Sequence, residues 1–335
     1  MKLSDFDYRL PKELIAQEPI EPRDASRLIV VKGKDIEHKT FKDVLNYLEK
    51  DDVIVLNDTK VEPVKLVGRK TTGSPAEFLV SKRLDERKYE CQIKTNKVKI
   101  GAEFIFSKGL KGKVVGGKDG LFEVLFSSDH VDDLLQDIGE MPLPPYIKKK
   151  STKEQYQTVY AKHSGSLAAP TAGFHFTPAL LRDIEKKGVK IVHITLHVSF
   201  GTFLPVKTDN IEEHHMHDEW FSISEEAADT INSRKKRLVI VGTTALRALE
   251  SATDDIGIVH PKTGTTDIFI YPGYSFKLRP DLMITNFHLP KSTLIMLIAA
   301  LIGLDSIMDA YKVAVEERYR FYSFGDAMLL FIQAL

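Results

Sequence analysis

Histidine is the side chain that moves protons most readily near neutral pH, and several of the 11 histidines in this 335-residue chain sit in suggestive surroundings. His175 closes the segment Gly165–Thr177 (GSLAAPTAGFHFT), whose small residues let a ligand or another stretch of backbone come close. That segment leads into a helix start, where free N–H groups favour an anion. His288 lies in Ile284–Thr293 (ITNFHLPKST), where a strand would end in Thr285 and Asn286 and turn through Pro290 into a helix capped by Ser292. Gly242-Thr243-Thr244 follows an apolar strand and opens a helix, which is where ligands gather in an open α/β sheet. Its glycine spacing matches neither a Walker loop nor a dinucleotide fingerprint. Each segment also reads as plain packing, either a tight loop around a satisfied histidine or a capped turn.

His193 and His197 are four apart and would share one face of a strand. His214, His215 and His217 follow in EEHHMHDEW with Glu212, Glu213, Asp218 and Glu219. Such a group suits zinc or general acid–base work; the spacing lacks the glutamate of a helical zinc-protease motif. Tyr319–Met328 (YRFYSFGDAM) adds aromatic rings with Arg320 and Asp326, fit to stack a base or to dock the C-terminal helix.

These segments need a frame. Asp51–Asn57 reads as a short buried strand. Short β-prone pieces at Glu77–Val80, Tyr89–Ile93, Glu103–Phe106, Lys113–Val115 and Leu121–Phe126, separated by Gly and charged turns, predict a small barrel or sandwich. Three prolines in Met141–Ile147 (MPLPPYI) mark a linker. Beyond it helices and strands alternate. Thr177 caps a helix with Pro178 at its first position and Gly188 at its stop. Lys190–Val198, Leu238–Val241, Asp267–Tyr271 and Leu282–Thr285 read as strands, and Glu225–Arg237, Thr244–Ser251 and Ser306–Tyr319 as helices. The expected fold is α/β, a layered mixed sheet with helices, built discontinuously from 1–60 and 156–335, with a small antiparallel β-barrel inserted at 61–155.

Lys+Arg and Asp+Glu balance at 47 each, hydrophobics make up 43%, and Cys91 is the one cysteine. This composition excludes disordered and collagenous classes, a disulfide framework and an all-cysteine zinc site, and it fits a reducing cytoplasm. The N-terminus has no signal-peptide pattern, and the nine-residue apolar stretch Leu294–Ile302 is far short of the ~20 residues a membrane span needs. Charge is uneven: residues 65–118 carry 14 Lys/Arg against 5 Asp/Glu, and 119–140 carry 7 acidic residues and no Lys or Arg. Lys148, Lys149 and Lys150 follow. The pattern suits a polyanion on one part of the molecule, or a solvated face.

Taken together, the segments resemble the S-adenosylmethionine:tRNA ribosyltransferase-isomerase family of queuosine biosynthesis. The likeness spans nearly the whole chain through DFDYRLPKELIAQ, RDASRL, LNDTKV, MPLPPYI, YQTVYA, AAPTAGFHFT, GTFLPV, VGTTALRALES, IYPGY, TNFHLPKSTLIML and FGDAM. Ser199 stands where the family usually carries glycine, and Phe174 where it usually carries leucine. If position 199 requires positive φ, serine would be strained there.

The resemblance implies an α/β plus β-barrel transferase and isomerase that moves the ribosyl unit of S-adenosylmethionine onto the 7-aminomethyl-7-deazaguanine wobble base of tRNA. The product would be epoxyqueuosine-tRNA, with adenine and methionine released. S-adenosylmethionine would be a co-substrate, with no cofactor, no metal, no membrane partner and a monomeric, cytoplasmic protein. The chemistry asks for a base near the acidic ribose C5′, a proton donor to departing adenine and an acceptor for the substrate ammonium. His175 and His288 are the first candidates, then His197 and His217, with Glu219 and Asp326 as partners. Gly242, Thr243, Thr244 and Asn286 are expected to touch nucleoside or methionine, and Phe174, Tyr271 or Tyr274 to receive the unstacked base. The matching blocks add Thr171, Gly173, Gly201, Thr202, Arg247 and Ser292 as expected substrate contacts, and Lys148–Lys150 with the basic barrel segment would hold the tRNA backbone. Rival readings are a metal-dependent hydrolase, a tRNA-binding module without catalysis, and a methyltransferase, whose usual glycine-rich first turn is absent from the sequence.

Overall fold

The computed structural model describes residues 1–118, 120–199, 206 and 208–332. They divide into two units, one of residues 1–60, 144–150 and 154 onward, the other of residues 61–143 and 151–153. The proline-rich stretch from Pro144 to Lys150, assigned to the inserted piece on sequence grounds, thus packs with the first unit.

An apolar run followed by a turn at Gly33, φ +63°, makes a hairpin of β1 (Arg27–Lys32) and β2 (Asp35–Thr40). This is a strand pair ahead of β3 (Val53–Asn57), the first strand marked in the sequence. All five residues of β3 are buried, as expected of a strand covered on both faces. β4 (Thr59–Val61) follows directly.

The second unit is a closed barrel of β5 (Lys65–Lys70), β6 (Pro75–Arg83), β7 (Lys88–Lys94), β8 (Glu103–Phe106), β9 (Lys111–Lys118) and β10 (Leu121–Phe126). The order is β10-β7-β6-β5-β8-β9, antiparallel throughout, and closure leaves no free edge. Phe78 packs edge-on against Phe104 and Phe106 inside it. The acidic helix α1 (Val131–Ile138) belongs to the same unit. Its Asp132 pairs with Arg83 at 2.9 Å and its Asp137 with Lys108, while Lys88 meets Glu123 at 3.3 Å and Lys113 meets Glu103 at 3.4 Å. Much of the basic charge read in the sequence is therefore answered within the unit.

The chain resumes the first unit with β11 (His163–Ser166), α2 (Pro178–Lys186), β12 (Lys190–Leu196), β13 (Glu219–Ile223), α3 (Glu225–Asn232), β14 (Leu238–Val241) and α4 (Thr243–Ala252). It ends with β15 (Lys262–Thr266), β16 (Leu282–Asn286), α5 (Thr293–Ile302), α6 (Leu304–Glu316) and β17 (Ala327–Phe331). Nine strands form one mixed sheet, β15-β13-β12-β3-β14-β16-β17-β1-β2. β12, β3, β14 and β16 run parallel, β17 runs against β16, and β1 runs parallel to β17. One edge of the sheet therefore gathers the carboxyl ends of four strands and the amino ends of β17 and β1.

Thr177 caps α2, its Oγ1 accepting from the Leu180 N–H at 3.1 Å. The strand expected at Asp267–Tyr271 lies earlier, at β15. As an edge strand pairing only with β13, β15 needs no apolar run, and the Ile268 carbonyl is satisfied instead by Arg247 Nε at 3.1 Å. α3 stops at Asn232, short of Arg237. α6 starts and stops two to three residues earlier than the sequence pattern suggested, because Gly303 (φ +90°) and Arg318 (φ +54°) bend the chain out of helix on either side. Among the described residues no single helix is long and apolar enough to cross a membrane; α5 and α6 qualify only together and are bent by 117° at Gly303.

Asp52, fully buried, ties the starts of β3 and β14: its Oδ2 accepts from Arg237 Nη2 and from the Glu49 N–H, both at 2.7 Å. Asp52→Ala should lower the unfolding free energy by about 3 kcal/mol, since it removes a buried ion pair and the acceptor of the Glu49 and Arg237 N–H groups, and Thr177→Ala by about 1 kcal/mol, a lost cap. Urea denaturation of the two variants checks the ranking.

Candidate active site

At the shared edge, Asn57 joins three elements. Its Oδ1 accepts from the Leu196 N–H at 3.0 Å, and its Nδ2 donates to the Leu196 carbonyl at 3.0 Å and to Thr244 Oγ1 at 3.2 Å. β3, β12 and the first turn of α4 are fixed together. Gly242 turns between β14 and α4 at φ +87°, a conformation that favours glycine, and a Cβ there would meet Ala172 Cβ at 3.4 Å. No side chain caps α4, so its first turn presents backbone N–H groups to the cleft that Thr243 and Thr244 line.

β16 ends in Thr285 and Asn286, both buried, and successive strand residues face opposite sides of the sheet. Thr285 Oγ1 lies 2.9 Å from His288 Nε2 on one side. On the other, Asn286 Nδ2 lies 3.3 Å from His175 Nε2 and donates to the Tyr322 carbonyl at 3.1 Å. Because a carbonyl can only accept, the NH2 of Asn286 must be the atom that faces it. His175 Nε2 then accepts, so Nδ1 carries the proton and donates to Ser26 Oγ at 2.7 Å. Phe41 stacks on the His175 ring at 4.9 Å. The other atom of the amide, Asn286 Oδ1, is buried with no hydrogen-bond partner among the described residues. Tyr322 holds φ +71°, costly for a bulky residue and a mark of a constrained site. The His288 backbone N–H donates to Tyr311 Oη at 2.7 Å, and its carbonyl accepts from the Tyr8 hydroxyl.

The ends of β14 and β16 border a cleft of about 680 Å³, counting its open part. Of the residues singled out in the sequence, Thr171, Gly242, Thr243, Thr244, Asn286, His288 and Ser292 line it. His175 and Phe174 instead line a smaller neighbouring pocket, with Ser323 common to both. Tyr146 was hidden inside the proline linker, yet it lines the cleft, bonds Ser323 Oγ at 2.8 Å and packs at a tilt of 54° against Tyr322, ring centroids 4.8 Å apart. Thr285, read with Asn286 as the polar end of a strand, also lines the cleft, as do Tyr322 and Ser323 from the aromatic segment Tyr319–Met328.

Other candidates lie elsewhere. His197 bonds Thr59 Oγ1 at 2.7 Å and stacks on Trp220 at 4.7 Å, and His217 is exposed. The histidines therefore do not converge on one pocket. Glu219 and Arg247 form a buried ion pair beside Ser199, whose N–H donates to Glu219 Oε1 at 2.8 Å. Arg247 Nη2 is buried without a partner. Among the described residues Ser199 is not one held at positive φ, so the serine brings no such strain. Tyr274 bonds Glu250 at 3.1 Å, in the last turn of α4 and about 10 Å along the helix from Thr243. Tyr271, which packs on Phe269 at 5.0 Å, does not line the cleft. Asp326 accepts from the N–H groups of Arg27 at 3.0 Å and Arg320 at 2.8 Å, bracing backbone and not an imidazole. Gly173 packs under Tyr160, whose hydroxyl a Cβ would meet at 2.0 Å. Lys148, Lys149 and Lys150 are exposed, Lys149 pairing with Glu18 at 2.9 Å. Gly201 and Thr202 lie outside the described residues. Among the described residues no three His, Cys, Asp or Glu side chains group to hold a metal ion.

Burial pushes both His175 and His288 down to about 3; for His175 the charges of Arg320 and Arg23 add to it. Both rings are neutral at pH 7 and present lone pairs, not positive charge.

Comparison with known proteins places these features. A family model described as "Queuosine biosynthesis protein" matches residues 3–330. A relative from Acetivibrio thermocellus, named S-adenosylmethionine:tRNA ribosyltransferase-isomerase, is 53% identical over 98% of this chain and all of its own length. The crystal structure of an S-adenosylmethionine tRNA ribosyltransferase from Thermotoga maritima is similar with a TM-score of 0.54 at 38% identity, covering 98% of this chain and 100% of that one.

A histidine that would titrate near 6.5 when unfolded, and only near 3 when folded, makes the unfolded state bind more protons in between. The stabilisation is full above pH 6.5 and is lost as pH falls through that window, by at most about 1.4 kcal/mol per pH unit per ring. Denaturation at pH 7 and pH 5 should register the loss, and His288→Gln should flatten it. An unflattened profile would contradict the burial argument.

Proposed function

The chain belongs to the queuosine biosynthesis protein family, and we propose that it is an enzyme performing the ribosyl transfer for which its relatives are named. In this reading the ribosyl unit of S-adenosylmethionine passes to the aminomethyl nitrogen of a 7-aminomethyl-7-deazaguanine wobble base and isomerises to an epoxycyclopentane. Adenine and methionine leave, and epoxyqueuosine-tRNA is the product. The protein acts as a cytoplasmic monomer, with S-adenosylmethionine as co-substrate and neither metal nor resident cofactor.

The observation that carries the reading is the cleft at the carboxyl edge of the parallel strands, largely apolar and faced, among the described residues, by hydroxyl, amide and imidazole groups but by no carboxylate, lysine or arginine. A sulfonium is a cation, and a cleft faced by neutral imidazole, hydroxyl and amide groups does not repel it. The sulfonium acidifies the ribose C5′ hydrogens, and His288, oriented by Thr285, is the cleft's imidazole; burial weakens it as a base in the empty cleft, so the scheme requires the bound substrate to raise its basicity. Asn286 Oδ1, buried and unpartnered, suits an N–H of the nucleoside. The N–H groups at the start of α4 suit the methionine carboxylate. Tyr146 and Tyr322 offer ring faces to a base swung out of the anticodon stack.

Mixing the protein with S-adenosylmethionine and tRNA bearing the deazaguanine base should release adenine and methionine in step with a heavier wobble nucleoside, unaffected by chelator. S-adenosylhomocysteine would mean methyl transfer, and no consumption a binding module. His175→Ala and His288→Ala should each lower kcat by about 10²-fold or more; near wild-type turnover in both would remove the acid–base scheme.

A further inference from the structure

We infer that the small pocket between Arg23 and Arg320 seats a backbone phosphate of the nucleic-acid substrate beside the reacting cleft, an inference that rests on the tRNA reading above. The pocket is enclosed by Arg23, Ser26, His175 and Arg320, with the rings of Phe174 and Phe324 at its wall. Ser323 lines both this pocket and the cleft, so an anion held here lies next to a base held there. A nucleotide swung out of its stack carries its phosphates with it.

The two guanidinium groups are aimed by backbone carbonyls, and two positive charges share the pocket with one carboxylate, Asp326, within salt-bridge distance of Arg320. Arg23 donates to the carbonyls of Gln157 at 2.6 Å and Glu154 at 2.5 Å, and Arg320 to the carbonyl of Glu18 at 3.2 Å. The nearest carboxylates are committed. Asp24 accepts from the Thr177 hydroxyl at 3.2 Å. Asp326, 3.6 Å from Arg320 Nε, already accepts two backbone N–H groups. Glu21 acts on Arg23 only through its field. Arg320 Nε is buried with no hydrogen-bond partner among the described residues. Partly desolvated cations aimed by carbonyls are poised for an anion, and the guanidinium fork fits phosphate oxygens in pairs. In the barrel Arg83, Lys88, Lys108 and Lys113 each meet an exposed carboxylate of their own unit, which leaves them less poised for an anion.

The test is the affinity for tRNA bearing the deazaguanine base across a salt series, with S-adenosylmethionine affinity measured in parallel by equilibrium dialysis. Arg23→Gln and Arg320→Gln should each weaken tRNA binding about tenfold and make the log–log salt slope shallower by about 0.7–0.9. Affinity for S-adenosylmethionine should not move. Arg320→Lys keeps a cation and should keep the slope, which separates lost charge from lost folding. Wild-type tRNA affinity and slope in both glutamine variants would overturn the inference. So would a loss confined to S-adenosylmethionine, which would make the anion its carboxylate. A wild-type protein that neither binds tRNA nor consumes S-adenosylmethionine would instead defeat the functional reading beneath it.

Discussion

The side-chain amide of Asn286 is the contact on which the candidate site depends. Its Nδ2 reaches the Tyr322 carbonyl and His175 Nε2 at once, so one buried group fixes the turn before β17, the loop after Pro170 and the end of β16. Burial makes the arrangement strict, because an unsatisfied polar atom there costs the full desolvation penalty. From the direction of that one NH2 follow the acceptor role of Nε2, the proton on Nδ1 and the role of Ser26 as its acceptor. The neighbouring residue, Thr285, does the corresponding work for His288 on the opposite side of the strand.

Burial also divides the charge. The cleft is lined by groups that are neutral at pH 7, which matches a cationic co-substrate, while the arginines stand one pocket away, which matches a polyanion. Uniform positive charge would attract nucleic acid and repel a sulfonium from the same place. Separation by the Asn286–His175 contact lets one sheet edge serve both.

Legibility in the sequence followed how local the determinant was. The Thr177 and Ser292 caps, the strand Leu238–Val241 and the barrel strands Glu103–Phe106 and Leu121–Phe126 lie where the residues put them, since capping and short apolar runs are decided within a few positions. Gly242, Thr244, Asn286 and His288 fall in the cleft because each follows a strand whose end was readable. Tyr146, Ser26 and Arg23 were not legible as site residues: they arrive there only through the order β16-β17-β1 and the return of the proline stretch, whereas Arg320 stood in the aromatic segment already marked. The histidines were grouped by residue type, and the fold separates them, one stacked on Trp220 and another exposed. Asp326, expected as an imidazole partner, accepts two backbone N–H groups.

The most direct measurement is ¹⁵N NMR of the His175 and His288 imidazoles as pH is lowered from 8 toward 4. Both rings should stay neutral through pH 5, with His175 protonated at Nδ1 and not at Nε2. A ring that titrates near 6.5, or a His175 carrying its proton on Nε2, would contradict the buried network anchored by Asn286.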